Sequence, residues 1–177
     1  MALVHAQAGA DWVAPSAMAR GQVAAIRETL DDNGHRSTKI LGYSAKFDSC
    51  FYGPFREAAN SAPKFGDRSA YQLNCKNAQV ALTRIADDIA QGANMVMVKP
   101  ALGYLDIIRE AKSKFSFPLA AFNVSGEYAF VKLGARKKFW NEQKMVQEIL
   151  TSIQRAGADM IITYHAKDFA STLKLGI

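Results

Sequence analysis

Two lysines stand at the ends of apolar, strand-like runs, a position that suits them to nucleophilic chemistry. Lys99 directly follows the apolar residues of MVMVKP, and Lys46 closes ILGYSAK in the same way. In α/β folds the carboxyl end of a buried parallel strand faces the edge where active sites lie. Burial there lowers a lysine pKa, and a second ammonium nearby lowers it further, which frees the amine to attack a carbonyl carbon. The pair therefore predicts imine formation with a keto compound, although a single strand-end lysine is more often salt-bridged.

The segment between the two lysines has the composition of an active-site lid. Residues Phe51 to Asn74 read FYGPFREAANSAPKFGDRSAYQLN, and their glycine and proline spacing predicts a short helix followed by a long ordered loop. Arg56 and Arg68 in this segment could clamp a substrate carboxylate through paired hydrogen bonds. Surface arginines paired with Glu57 and Asp67 are the alternative interpretation.

The elements that must position these lysines follow from a recurring pattern. A Gly-Ala-Asp or Gly-Ala-Asn turn precedes an apolar run three times, and each glycine follows a helix-like segment that it would end in the left-handed conformation. With two further apolar runs, this predicts five buried parallel strands, at Ala8 to Ser16, Lys39 to Lys46, Gln91 to Pro100, Pro118 to Ser125 and Ala156 to Tyr164. Helices are predicted between them, at Arg20 to Asp32, Lys76 to Gln91, Tyr104 to Lys114 and Glu142 to Arg155.

Alternating strands and helices define the fold class as α/β with a parallel sheet. Such a sheet is either open and doubly wound or closed as a (β/α)₈ barrel. The motif GxGxxG and a P-loop are absent, which weakens the nucleotide-binding version. Five strands cannot complete a barrel of eight, and a closed barrel takes about 250 residues. If the fold is a barrel, residues 1–177 are part of one such domain.

The composition is that of a single soluble domain. Of 177 residues, 49% are hydrophobic and 21% are charged, and two cysteines without a metal-binding spacing predict a reducing, intracellular compartment. No apolar run is long enough to span a membrane, so no membrane partner is expected. The net charge of +6 is spread along the chain without interleaved aromatic residues in its densest cluster, which disfavours nucleic acid as a partner.

Six strings occur in an order that resembles one enzyme family. They are YSAKF, SCFYGPFREAA, GDRSAYQ, MVMVKPALGYLDIIRE, VSGEYA and RAGADMIITY. Together they resemble signature segments of porphobilinogen synthase, also called 5-aminolevulinate dehydratase. The resemblance implies a TIM (β/α)₈ barrel, of which this chain supplies about the last five βα units. It also implies a hydro-lyase that condenses two molecules of 5-aminolevulinate to porphobilinogen, with loss of water, in tetrapyrrole and haem biosynthesis.

The resemblance assigns roles to seven residues. It implies that Lys46 and Lys99 are the two Schiff-base lysines, Lys46 for the A-side substrate and Lys99 for the P-side substrate. Five other side chains are implied to hold substrate carboxylates: Arg56, Arg68 and Gln72 on the A side, and Ser125 and Tyr164 on the P side. Guanidinium and hydroxyl groups are the expected donors to an anionic tail. For Ser125 and Tyr164 the assignment depends on the resemblance, because ordinary strand-end hydrogen bonding is the preferred interpretation of these two residues taken alone.

The resemblance also implies features that the chain does not carry. The sequence begins just before DWVAPS, so the N-terminal oligomerisation arm, the first three strands and the catalytic metal ligands of the family are expected to lie outside it. Zinc or magnesium is expected from the family, as is a homo-oligomer, typically an octamer. The expected location is the cytoplasm, or a plastid if a transit peptide precedes the chain. Two alternatives stay open: a truncated, non-catalytic fragment or paralogue, and an aldolase-like barrel that uses one lysine.

Overall fold

A five-stranded parallel sheet forms the centre of the computed structural model, which describes residues 1–59 and 71–174, with side chains to residue 172. The strands are β1 (Trp12–Val13), β2 (Lys39–Lys46), β3 (Met95–Lys99), β4 (Leu119–Asn123) and β5 (Met160–Thr163). The helices are α1 (Ala2–Gln7), α2 (Gln22–Asp32), α3 (Gly53–Ala58), α4 (Ala78–Ala90), α5 (Leu105–Phe115), α6 (Ser125–Arg136), α7 (Glu142–Ala156) and α8 (Ala166–Lys174). Short 3₁₀ helices, Cys50–Tyr52 and Leu102–Tyr104, precede α3 and α5. Within these described residues no helix is long and apolar enough to cross a membrane.

The order of the strands identifies the sheet as part of a barrel. Each strand pairs in parallel with the next one along the chain, in the order β1-β2-β3-β4-β5. A doubly wound sheet reverses its strand order at a switch point, and this one does not. Right-handed crossovers that all advance in one direction place the helices on the same face of the sheet. The sheet then curves so that its opposite face becomes the interior of the barrel. The sequence left two forms open, an open doubly wound sheet and part of a barrel. The structure is the second of these, an α/β half-barrel.

The predicted helix–turn–strand unit is confirmed where the pattern was strongest. Gly9, Gly92 and Gly157 have φ of +93°, +93° and +121°, and they lie shortly before β1, β3 and β5. This left-handed backbone is readily adopted only by glycine, so each glycine ends its helix and turns the chain towards the next strand. All five strands occur within the predicted segments, although β1 has only two residues.

One predicted boundary is wrong. The run Pro118 to Ser125 was expected to be a strand, yet β4 ends at Asn123 and Ser125 is the first residue of α6. The sequence pattern did not indicate this helix, because Gly126 and Gly134 lower its helix propensity. Packing requires the second glycine, since a Cβ at Gly134 would lie 1.9 Å from the indole ring of Trp140.

Side chains alternate between the two faces of the sheet, and this alternation selects the residues that face the barrel interior. Val96 and Val98 belong to the main core between the sheet and the helices. Met97 belongs to a smaller cluster with Leu41 and Ala120 on the opposite face. Successive residues of a strand point to opposite sides, so Lys99, two residues beyond Met97, also lies on the interior face.

Candidate active site

The two lysines predicted to be nucleophiles are direct neighbours at the carboxyl ends of β2 and β3. Lys46 and Lys99 are paired in the parallel register, and the backbone N–H of Phe47 donates to the carbonyl oxygen of Lys99 at 2.8 Å. A shift in the register between Gly42 and Ala45 precedes this pair. The strand ends thus bring together two amines that are 53 positions apart in the sequence.

The Lys99 ammonium lies among aromatic rings. Its Nζ is 3.9 Å from the ring centre of Phe122, 5.3 Å from that of Tyr43 and 5.6 Å from that of Tyr52. Burial first, and then the positive charge of Lys46, lower the pKa of Lys99 from 10.5 to about 8. At pH 7 a pKa of about 8 leaves about a tenth of the amine unprotonated, whereas the ordinary value would leave about 0.03%. Lys99 therefore has the electrostatic properties of a nucleophile near neutral pH.

Lys46 is more deeply buried and is held by the backbone. Only 8% of the residue is exposed, and its Nζ donates to the carbonyl oxygen of Ser16 at 2.9 Å. The rings of Tyr43 and Tyr71 have their centres 6.0 and 5.9 Å from this Nζ. Tyr43 is therefore near both candidate nucleophiles and provides aromatic surface beside each of them.

Gln72 lies close to Lys46 because the chain returns to β2 after the long loop. The N–H of Leu73 donates to the carbonyl oxygen of Lys46 at 2.9 Å, and the N–H of Asp48 donates to that of Leu73 at 2.8 Å. Gln72 is 95% buried, and neither its amide oxygen nor its amide nitrogen has a hydrogen-bond partner among the described residues. Buried amides are normally paired, so this side chain is suited to a polar ligand.

Of the two predicted arginines, Arg56 lies beside the site and Arg68 lies outside the described residues. Arg56 is on α3, with its guanidinium 3.6 Å from a carboxylate oxygen of Asp48 and 5.5 Å from the ring centre of Tyr52. Its Nε is buried without a hydrogen-bond partner in the described part of the chain. Arg56 therefore has a donor available for an anion, although it also has a carboxylate neighbour, Asp48, in place of the Glu57 that the alternative interpretation named.

Ser125 is engaged with the lid segment. Its Oγ accepts a hydrogen bond from the N–H of Phe55 at 3.1 Å and donates to the carbonyl oxygen of Phe51 at 3.4 Å. The hydroxyl thus ties the N-terminus of α6 to the segment around α3. A role in holding a substrate carboxylate would require Ser125 to exchange these bonds, so that role stays a prediction.

Tyr164, the residue directly after β5, joins the same aromatic group. Its ring centre is 6.3 Å from that of Phe122 and 5.8 Å from that of Tyr128, and 49% of the residue is exposed. The ring of Phe122 also contacts Lys99. Tyr164 is therefore one ring away from the Lys99 amine, with its surface open to solvent.

Four residues around the site were not predicted from the sequence: Tyr43, Tyr52, Phe122 and Glu127. The alternation along β2 and β4 could have placed Tyr43 and Phe122 on the interior face. Tyr52 donates its hydroxyl to the carbonyl oxygen of Lys99 at 3.2 Å, and burial raises its pKa. Glu127 is 1% exposed, and burial raises its pKa to about 7. The bond from Val124 to Glu127 is a local contact at the start of α6, but the bonds from Leu102 to Glu127 and from Tyr52 to Lys99 join distant segments and have no local signal.

The described residues do not form a metal site. Within residues 1–59 and 71–172, no three His, Cys, Asp or Glu side chains come together in a way that could hold a metal ion. Cys50 and Cys75 are free and exposed. His165 is 2% exposed and packs against the ring of Tyr128, with ring centres 4.6 Å apart.

The rate at which Lys99 forms an imine with a small keto acid is expected to rise with pH and to level off above about 8. Only the unprotonated amine attacks, and its fraction increases through that pKa. Lys46→Met should move the midpoint to higher pH, since it removes the neighbouring ammonium. Initial rates of borohydride trapping at Lys99 between pH 6 and 11 would measure both midpoints, with the exposed Lys39→Met as the control. A wild-type midpoint near 10.5 would contradict the assignment.

Gly126→Ala is expected to destabilise the contact between α6 and the lid segment. A Cβ at Gly126 would lie 2.5 Å from the carbonyl oxygen of Phe51 and 2.7 Å from its Cα. The backbone must move apart, which should lower the free energy of unfolding by about 1–3 kcal/mol in urea titrations. Gly53→Ala is the matched control, because a Cβ there meets nothing within 4 Å. Equal stability of the two variants would show that this close approach is not required.

Comparison with known proteins identifies the family. A family model described as delta-aminolevulinic acid dehydratase matches residues 1–172. The delta-aminolevulinic acid dehydratase of Archaeoglobus fulgidus is 54% identical over 173 residues, which are 98% of this chain and 53% of that protein. The protein of the same name from Bacillus subtilis is 52% identical over 172 residues, 97% of this chain and 53% of its own length.

A solved structure agrees with these sequence matches. The crystal structure of delta-aminolevulinic acid dehydratase (porphobilinogen synthase) from Toxoplasma gondii, in complex with the reaction product porphobilinogen, superposes with a TM-score of 0.94 at 46% identity. The match covers 96% of this chain and 49% of that one. The chain thus spans about half the length of the relatives that it matches. It belongs to the delta-aminolevulinic acid dehydratase family.

Proposed function

We propose that this chain provides the imine-forming part of a porphobilinogen synthase, which condenses two molecules of 5-aminolevulinate to porphobilinogen with loss of water. The observation that carries the proposal is the pairing of Lys46 with Lys99 at the ends of adjacent strands. Two neighbouring amines suit a reaction in which two keto substrates must be held at once. An aldolase-like barrel, the alternative with one nucleophile, gives no reason for the second lysine.

The chemistry follows from the two amines. Unprotonated Lys99 attacks the ketone carbon of one substrate, and loss of water leaves an imine; Lys46 does the same with the other substrate. Each imine makes the former carbonyl carbon more electrophilic and its neighbouring carbon more acidic, as carbon–carbon bond formation requires. The rings of Tyr43, Tyr52 and Phe122 keep water away from Lys99.

Substrate carboxylates need donors on both sides of the lysine pair. On the Lys46 side we assign this role to Arg56, Arg68 and Gln72, and on the Lys99 side to Ser125 and Tyr164. The buried amide of Gln72 and the Nε of Arg56, which have no hydrogen-bond partner within residues 1–59 and 71–172, support the first group. The aromatic chain from Phe122 to Tyr164 supports the second group.

The wider setting is proposed from the family. Residues 1–177 are assigned to the C-terminal part of a single TIM-barrel domain, in a homo-oligomer located in the cytoplasm. Family membership supports a dependence on metal, with zinc or magnesium as the candidates. The described residues offer no cluster of ligands for such an ion, so the steps above involve protein side chains alone.

Product formation by the full gene product tests the proposal. The protein is incubated with 5-aminolevulinate and either zinc or magnesium, and porphobilinogen is measured by mass spectrometry. The proposal predicts product with at least one of the two metals, and loss of product with either Lys46→Met or Lys99→Met. No product from a folded protein would favour the non-catalytic alternative. Product that survives Lys46→Met would favour a mechanism with one lysine.

A further inference from the structure

A buried carboxylate joins the two loops that follow β3 and β4. One carboxylate oxygen of Glu127 accepts a hydrogen bond from the backbone N–H of Leu102, and the other accepts one from the backbone N–H of Val124. Glu127 is 1% exposed. Leu102 is three positions beyond Lys99, and Val124 directly precedes Ser125. One side chain therefore connects the lysine end of β3 to the start of α6.

We propose that Glu127 is a positioning residue that fixes Lys99 relative to Ser125 and the N-terminus of α6. The inference depends on the proposed function, because it concerns the alignment of one substrate between an imine-forming amine and the loop that carries a carboxylate donor. In this proposal Glu127 contacts neither substrate and acts through the two backbone segments that it joins.

The chemistry of the side chain explains why a carboxylate is needed. Two backbone N–H groups point at it, and the ionised carboxylate, which prevails above its pKa of about 7, accepts at both oxygens in a fixed geometry. A glutamine offers one oxygen and turns an NH₂ group towards the second N–H, so one of the two loops must move or lose its bond. An unpaired buried N–H is costly, which makes movement of the loop the expected outcome.

Replacement of Glu127 is expected to slow imine formation mainly at one of the two lysines, Lys99. Tyr52 and Glu127 hold the backbone at and beyond Lys99, through the Lys99 carbonyl and the N–H of Leu102. Lys46 adjoins this backbone through the bond from Phe47 to the Lys99 carbonyl, but its own amine and carbonyl are held by Ser16 and Leu73. A small displacement of a reacting group lowers its rate strongly, by about 100-fold for a shift of 1 Å. Loss of the Glu127 bridge should therefore slow imine formation at Lys99 much more than at Lys46.

Trapping at the two lysines separately tests the inference. The full gene product is treated with 5-aminolevulinate and borohydride, and the rate of modification at each lysine is measured by peptide mass spectrometry. For Glu127→Gln we expect a fall of about 10- to 100-fold at Lys99 and less than about twofold at Lys46. Glu110→Gln, the same change at an exposed position on α5, should leave both rates unaltered.

Equal losses at both lysines would overturn the inference, because they would show a general loss of structure. Unchanged rates would overturn it as well. If Glu127→Gln does not fold, Glu127→Asp keeps both acceptors on a side chain that is one methylene shorter, and it must show the same difference between the lysines. Absence of trapping at both lysines of the wild-type protein would contradict the proposed function itself, and this inference with it.

Discussion

Replacement of Lys99 with methionine is expected to lower porphobilinogen formation by the full gene product at least about 1000-fold while leaving the protein folded. Methionine has a similar length and no amine, so it cannot form an imine. The rings of Phe122 and Tyr43 already surround this position, and they pack well against a thioether. The exposed Lys114→Met variant should keep its activity, since it changes the same residue type far from the strand ends.

Stability as a function of pH gives this prediction a second readout. The lowered pKa of Lys99 means that the folded state releases a proton which the unfolded state keeps between about pH 8 and 10.5. The contribution of Lys99 to the free energy of unfolding therefore rises as pH increases through this window. Lys99→Met should lack this rise, whereas Lys114→Met should show it. Activity within tenfold of wild type in Lys99→Met would reject Lys99 as the nucleophile.

The isolated 177-residue chain is expected to self-associate rather than to remain a compact monomer. In the described structure β1 pairs only with β2, and β5 pairs only with β4, which leaves two open edges. The interior face of the sheet keeps four apolar or aromatic residues only partly buried: Tyr43, Met95, Phe122 and Ile162. The chain exposes 10450 Å² in total, against about 8,500 Å² for a compact monomer of its mass. Open edges and apolar surface promote pairing between copies.

Light scattering during size-exclusion chromatography measures this association. Met160 on β5 is 44% exposed, so Met160→Lys places a charge on an open edge and should reduce association. Gln147→Lys adds the same charge on the exposed face of α7 and should not reduce it. A compact wild-type monomer of 19.4 kDa with a cooperative thermal transition would show that the half-barrel is stable by itself.

The fold was predictable where a local pattern determines it. The five strands and the glycines at 9, 92 and 157 follow from hydrophobic runs and from the backbone that each turn requires. The choice between an open sheet and a barrel needed the strand order, which depends on long-range pairing. Helix α6 was missed because tertiary packing, of Gly126 against Phe51 and of Gly134 against Trp140, accommodates its glycines in spite of their low helix propensity.

The site was predictable only in part, because some of its contacts join segments that are distant in the sequence. Lys46 and Lys99 could be placed at strand ends, and parallel strands bring such ends together. The burial of Gln72 depends on a bridge between Phe47 and Leu73 that no local pattern reveals. The bond from Phe55 to Ser125 spans 70 positions and likewise has no local signal.

Each of the two lysines is expected to hold one substrate molecule as an imine. The most direct measurement is peptide mass spectrometry of the full gene product after treatment with isotope-labelled 5-aminolevulinate and borohydride, which converts an imine to a stable amine. We predict label at both Lys46 and Lys99, with the label at either site lost in the corresponding methionine variant. Label at only one of the two, or only at other lysines, would contradict it.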